Sequence, residues 1–595
     1  MLRVAAVAAV AGLLTASCSG AHGAGALPPG AGPQAVARSA RDLAIAAPPG
    51  WAATATHGIT VANATDRGPL APATRLTVRL GLSLHNVAQL SSTIAAAGKG
   101  AAMSPQQFAA QYGPTPAEVQ SVVTYLRSQG FTNVQTSAQL VSADGTAAQA
   151  AKAFNTTLES FSLGGAAVYA NTQPALVPAS LGGVVSAVLG LTNASKMSLR
   201  PNLSRAHSAS CLITAAPTGQ CLPAFDAAGV RTFYDVGYVP DGSGTAVAVI
   251  AEGDVSQTVG DLRYAEAKQN LPQVPVNVVT VGMASTDTAG VVEWDLDTQS
   301  STGMAQNVKA LYLYVATSLS DSDIASAYSK WVGDNVARLG NSSFGECEYS
   351  AWLDGAMKVD DNLFMQAAAQ GQTMFASSGD TGSSCALAPT NGAPGSGPPF
   401  VSYPASSAWI VAVGGTTVVS NADGSYAGES AWNAGGGGLS QFENAPSWQQ
   451  TVPPNSTGAA ATNLRAVPDM AMAADAFSGA YMVYGPNIPG VGDCSAGCAI
   501  GGTSEASPLA MGAYSRMMSW TVNSLGYLPH WLYRNYLQNQ SAATTVNGPP
   551  PTQTLGGFHD IVSGSNGAFT ALPGYDYTTG LGTFDVRVMA DEIGT

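Results

Sequence analysis

Charge is scarce in this chain. Lysine and arginine total 23 in 595 residues and aspartate and glutamate 37, so charged residues make up 10% and the net charge is −14. Soluble domains ordinarily carry about a quarter. With so few cations no basic patch can neutralise a run of phosphates, which excludes nucleic acid as a partner. Few ion pairs also means little to break when acid protonates the surface, a composition that suits an acidic setting. Histidine is short as well, with six in all. Beyond the N-terminus no uninterrupted apolar run is long enough to cross a bilayer. The cysteines have no accompanying histidine or paired CxxC, which sets a zinc site aside.

The opening "MLRVAAVAAVAGLLTASCSGAHG" has an early arginine, a short apolar stretch and a small-residue exit, the pattern of an export signal over residues 1–20. Its "TASC" ends at Cys18 as a bacterial lipoprotein signal does, with Thr15 where leucine is usual. Secretion and lipid anchoring through Cys18 both stay open. Setting Cys18 aside leaves an even number of cysteines in an exported chain. Their spacing favours pairing Cys211 with Cys221 and Cys494 with Cys498, leaving Cys347 for Cys385.

Length requires more than one domain. Residues 21–70, rich in Pro, Gly and Ala, read as a flexible leader. From there "RLTVRLGLSLHN" alternates like a strand, and helices are expected to start at Ser104 and Thr115, the latter with Glu118 at capping-box spacing. With "GTAAQAAKAFN" as another helix, residues 71–195 form a compact α+β unit. Residues 196–220 are polar and patternless, an exposed linker open to proteolysis. From 221 to 595 the texture changes to "GTAVAVIAEGD", "NVVTVG", "ALYLYVA", "RLGNSSFG", "TMFASSGD" and "WIVAVGGTTVV". Such continuous runs are strands buried on both faces, so this is an α/β domain with a mostly parallel sheet. Ligands of such sheets sit beyond the carboxyl ends of strands, and Asp380 follows "TMFASSG".

One short stretch, "AIGGTSEASP", puts Ser504 between a diglycine and a helix start. Alone, it reads as a helix cap before it reads as a nucleophile. A serine peptidase of the usual kind needs a histidine base. His22, His57, His85 and His207 lie before or within the linker, His530 sits in an apolar stretch, and none lies between Asp380 and Ser504. A subtilisin-type triad is therefore excluded. The alternative base lies in "VVEWDLD", where Glu293 and Asp297 share a helical face and Asp295 points about 200° away. No lysine or arginine lies between Leu271 and Val308. A folded chain keeps such a carboxyl pair more readily if the pair shares a proton.

Glu293-x-x-x-Asp297, "SSGDTG" at Asp380 and "GGTSEASP" at Ser504, in that order, resemble the sedolisins, serine-carboxyl peptidases related to kumamolisin. "NSSFGECE", "YPASSAWIVAVGGTT", "ESAWNAGGGGLS" and "RAVPDMAMAAD" are similar too, and residues 71–195 resemble the family's activation pro-domain. The resemblance implies a subtilisin-like doubly wound catalytic domain behind a ferredoxin-like pro-domain. It implies Ser504 as nucleophile, Glu293 as base, Asp297 as its orienting partner and Asp380 serving the oxyanion. It also implies one structural calcium ion, held by the carboxylates of Asp560 and Asp576 and the carbonyls of Ile561, Leu572 and Gly574. Leu572 stands where the family usually has glycine. The function expected is that of a secreted, acid-acting, monomeric endopeptidase made as a zymogen. Its own pro-domain would inhibit it, and proteins and peptides would be its substrates. A tripeptidyl-peptidase-like exopeptidase and a catalytically silent binding protein of the same fold are the alternatives. Intact Glu293, Asp297, Asp380 and Ser504 oppose the silent protein.

Overall fold

The computed structural model describes residues 45–199, 223–385, 400–455, 463–539 and 552–594, with short strand segments at 202–203, 214–215, 220–221 and 544–546. Residues before 45, with the export signal and Cys18, lie outside the described residues.

The N-terminal unit is an antiparallel sheet in the order Thr132–Ser137, Leu140–Thr146, Arg75–Leu82, Val185–Leu189. Helices Pro105–Gln111, Pro116–Ser128 and Ala147–Ala153 each begin with a complete capping box, from Ser104 and Gln107, Thr115 and Glu118, and Thr146 and Gln149. Each box satisfies donors that a helix start leaves unpaired. Val78, Leu80, Val122, Leu126 and Val141 fill the core between sheet and helices. The flexible leader expected over residues 21–70 ends earlier than that. Trp51–Ala53 pairs with Leu176–Pro178, and Thr65–Pro69 with Leu158–Leu163, both antiparallel. Neither segment has an alternating apolar pattern, because the strand edges they join, and not their own side chains, hold them in place.

The peptidase sheet is built from β1 (Gly242–Glu252), β2 (Val276–Val281), β3 (Val308–Ala316), β4 (Leu339–Ser342), β5 (Thr373–Ser377), β6 (Val411–Ser420) and β7 (Met470–Ala473). The order across it is β2-β3-β1-β4-β5-β6-β7, every neighbouring pair parallel. Every apolar run named above falls on one of these strands. Between and after them run α1 (Ser256–Lys268), α2 (Val291–Ala305) and α3 (Thr503–Trp520). α3 packs on β1 and α2. Strand order reverses at β1, the switch point where a crevice opens at the strands' carboxyl ends.

The two units share apolar packing. Leu90, Ile94, Phe108 and Tyr112 of the N-terminal unit belong to the same buried cluster as the peptidase core. Arg79 crosses the boundary to Ser322 Oγ at 3.0 Å and Asp323 Oδ1 at 2.7 Å. Disulfides join Cys347 to Cys385 and Cys494 to Cys498. The pairing read for Cys211 and Cys221 lies outside the described residues.

Candidate active site

α2 is buried from end to end, so no face of it is a solvated acidic surface. Glu293, Asp295 and Asp297 are all at 0% exposure. Glu293 and Asp297 share one face as their spacing predicts. Asp295 turns the other way, toward Asp261 of α1. Trp294 is core: its Nε1 donates to the Glu252 carbonyl at 3.0 Å, and its ring stands edge-on to Phe344. That packs the helix behind Phe344, a residue of the cleft wall.

Ser504 sits in the first turn of α3 and is not its cap. Gly502 holds the N-cap position at φ 117°, a conformation glycine adopts without strain. The capping is done from a distance. Asp380, just past β5, accepts from the Thr503 amide at 2.9 Å and the Thr503 hydroxyl at 2.7 Å, both through Oδ1. The Gly379 amide returns a bond to that hydroxyl at 3.1 Å. The residue before Ser504 thus fixes Asp380 beside it.

Ser504 Oγ donates to the Ser343 carbonyl at 3.3 Å and lies against the Glu293 carboxyl. Ser343 and Asn341 lie against Asp297. The oxygens of Glu293 and Asp297 are sealed from solvent and complete no full hydrogen bond. Asn341 Nδ2 donates to Ser343 Oγ at 2.9 Å, and Ser507 Oγ to Asn341 Oδ1 at 2.6 Å, which ties β4 to α3. Sequence reasoning had not singled out Asn341, Ser343, Thr503 or Ser507. "NSSFG" was read as a strand end, and which of its polar groups faces the pair depends on the fold.

Burial holds the Glu293 carboxyl well above the usual carboxylate range, and repulsion from Asp297 adds to it; the nearby Ser504 hydroxyl pulls the other way. Burial likewise raises Asp297 well above that range, opposed by Ser343 and Asn341. Two carboxyls in one dry pocket favour holding a proton between them. Among the described residues no histidine lines the cleft of about 510 Å³ beside Ser504 and Asp380. His57 stacks on Trp352 and His559 on Tyr426, and burial lowers them to about 4 and about 3. Both are neutral packing rings.

The candidate metal loop lies elsewhere. Asp560 is in the strand Phe558–Ile561, and residues 572–576 fold back on it. The Gly574 amide donates to Asp560 Oδ2 at 2.8 Å and the Leu572 amide to Asp576 Oδ2 at 2.7 Å. Asp576 Oδ1 also takes the Thr578 and Thr579 amides at 2.8 and 2.9 Å. Leu572 is not among the positive-φ residues, so its side chain brings no backbone strain. Both carboxylates are buried, at 3% and 1% exposure, and neither belongs to an ion pair among the described residues. No group of three or more His, Cys, Asp or Glu able to hold a metal occurs among the described residues. A site made of two carboxylates and main-chain carbonyls falls below that count. An oxygen-only set with two facing carboxylates and no internal cation fits calcium.

Comparison with known proteins agrees with this geometry. The pro-kumamolisin activation domain matches residues 62–194, and the subtilase family matches residues 280–553. Sedolisin of Pseudomonas sp. (strain 101) is 35% identical over 541 residues, covering 86% of each chain. Xanthomonalisin of Xanthomonas sp. (strain T-22) is 34% identical over 568 residues, 86% of this chain and 64% of that one. Kumamolisin of Bacillus sp. (strain MN-32) is 27% identical over 553 residues, covering 87% and 92%. A solved structure of Pseudomonas sedolisin, a serine-carboxyl proteinase complexed with two molecules of pseudo-iodotyrostatin, superposes with a TM-score of 0.54 at 32% identity. It covers 62% of this chain and 98% of that one. A subtilisin-like sheet behind an activation domain defines a serine peptidase made as a zymogen. More narrowly, the chain belongs to the sedolisin family.

Proposed function

We propose that this peptidase acts in acid, outside the cell, through Ser504 as nucleophile with Glu293 as base, Asp297 as its partner and Asp380 at the oxyanion. One observation carries the reading. Glu293 lies against Ser504, Asp297 shares its helical face, Asp380 is tied to the residue before the serine, and no histidine lines the cleft among the described residues.

The chemistry runs as a proton circuit. Ser504 Oγ attacks the scissile carbonyl while its proton passes to Glu293, and Asp297 takes up part of the added charge through the shared proton. A protonated Asp380 donates to the oxygen that becomes negative, which a carboxyl can do only while it holds its proton. Glu293 then returns the proton to the leaving amine, leaving an acyl-enzyme that water hydrolyses by the same route. Acid supplies the proton that Asp380 needs in order to donate. A bound calcium ion would be held by Asp560, Asp576 and the carbonyls of Ile561, Leu572 and Gly574, neutralising two buried carboxylates and bracing the loop.

The precursor supports self-processing. Ser198 pairs antiparallel with Gly345, and Asn202 and Leu203 pair antiparallel with Gly501 and Ile500, just ahead of Ser504. The linker thus meets the cleft on both sides of the serine, as a substrate strand would. Residues 1–20 would direct export, with Cys18 as a second, lipid-bearing destination.

The test is to incubate the purified precursor at about pH 4 and pH 7 beside Ser504→Ala and Glu293→Ala, following chain length and casein hydrolysis. Shortening and hydrolysis at pH 4 in the wild type alone are expected. Activity that survives Ser504→Ala, or processing confined to pH 7, contradicts the mechanism.

A further inference from the structure

The linker's approach to the cleft alternates. Ser195 is half-buried, Lys196 exposed, Met197 buried at 2% exposure, and Ser198 exposed. Successive side chains of an extended strand point to opposite faces, so Ser195 and Met197 face the enzyme together. The Met197 amide donates to the Leu319 carbonyl at 3.0 Å, and the Ser198 amide to the Gly345 carbonyl at 2.9 Å. The backbone is thus held in register, and the two inward side chains fill fixed places.

Met197 joins the apolar core. Ser195 meets something different: its hydroxyl donates to Glu346 Oε2 at 2.6 Å. Glu346 follows Gly345 directly and lines the same cleft as Asp380 and Ser504. Its other oxygen, Oε1, is sealed from solvent, and the Glu346 carboxyl bonds to the buried Asp321 carboxyl, with Asp354 beyond it. Oε2 is the oxygen that accepts from the linker, and a side chain bringing an O–H or N–H answers it.

We propose that Glu346 is a specificity-determining residue of the peptidase, receiving a hydrogen-bond donor side chain of an extended peptide at the place Ser195 fills in the precursor. The adjoining requirement is an apolar side chain two residues further along, where Met197 sits. A pocket built to bond a hydroxyl discriminates against an analogue that lacks one, because its buried acceptors are then left unpaired. The inference rests on the reading of Ser504 as the nucleophile of this cleft.

Peptides copying residues 193–205, with residue 195 as Ser, Thr, Val or Ala, separate the two. They are given to the acid-processed full-length protein, and kcat, KM and the cleavage position are followed by mass spectrometry. The Ser and Thr peptides should show kcat/KM about fivefold to tenfold above the Ala and Val peptides, carried by KM, the range of one hydrogen bond. In Glu346→Ala that ratio should fall to about one. Glu346→Gln keeps an acceptor oxygen, should retain part of the ratio, and serves where the alanine variant does not fold. Equal values for the Ser and Ala peptides in the wild type overturn the proposal, as does a preference that survives Glu346→Ala. A cut outside residues 198–202 overturns it too, since the register is then wrong. Failure of the wild type to cleave any peptide overturns instead the reading of Ser504 on which it rests.

Discussion

In the proposed mechanism single carboxyls decide the chemistry, and what separates them is what surrounds each. Asp380 is held by Thr503, Asp297 lies against Ser343 and Asn341, and Glu293 lies against Ser504. Asp560 and Asp576 lie against one another, and among the described residues no cationic side chain is paired to either. If calcium resides there, a calcium excess of about 100 times the dissociation constant stabilises the fold by about 2.7 kcal/mol. Thermal unfolding of the wild type should then rise with added calcium and fall with a chelator, and Asp576→Ala should lose that response. Melting indifferent to the metal in the wild type would reject the site. At this scale Glu293, Asp297, Asp380 and Ser504 were legible because each is marked by a short motif. Asn341 and Ser343 were not, since nothing local says which polar group of a strand end reaches a helix across the sheet.

The elements bring Ser504 against Glu293. α3 approaches α2 closely because Gly512 faces it: a methyl there would stand 2.5 Å from the Ser301 carbonyl and 2.9 Å from the Met304 Cβ. Backbone cannot yield that much, so a larger residue must push the helices apart. Gly512→Ala should cost about 1–3 kcal/mol of stability and lower kcat more than KM, as Ser504 moves off Glu293. A urea titration with steady-state kinetics checks both, and unchanged kcat would show that the helix spacing does not set the serine's position. The strands of the sheet were legible from their unbroken apolar runs, and the helix starts of the N-terminal unit from their capping pairs. The strands at 51–53 and 65–69 were not, because they are held by edges of the rest of the domain.

At the scale of the whole molecule, burial shifts many carboxyls upward. Burial raises Glu252 to about 7, and burial raises Glu429 to about 7 against bonds from Thr416, Thr583 and Tyr234. A carboxyl held above its unfolded value keeps a proton that the unfolded chain has released. Its stabilising contribution is complete below about pH 4 and is lost as pH rises through its folded value. His57, His530 and His559, lowered by burial to about 4, 4 and 3, act in the opposite direction, losing stability below about pH 6.5. The buried carboxyls outnumber these rings, and Asp295, Asp354 and Glu505 are also raised. Unfolding temperature should therefore be higher near pH 4.5 than at pH 7.5, and a scan that rises steadily toward pH 7.5 would contradict the assignment. Composition hinted at this through the scarcity of charge. Which carboxyls would be buried was beyond its reach, because burial is set by packing between segments far apart in the chain. The same holds for the seat of the pro-domain, where Leu90 and Phe108 join the buried cluster of the peptidase core.

The central claim is that a glutamate, not a histidine, activates Ser504. Quenching the processed enzyme in acid during hydrolysis of a slowly deacylating activated ester, then mapping the acyl group by peptide mass spectrometry, tests it directly. The account predicts the acyl group on Ser504 at pH 4, with formation slowed by at least about a hundredfold, the lower bound for general-base catalysis, in Glu293→Ala. An acyl group on any other residue, or one that forms on Ser504 at the wild-type rate in Glu293→Ala, would contradict it.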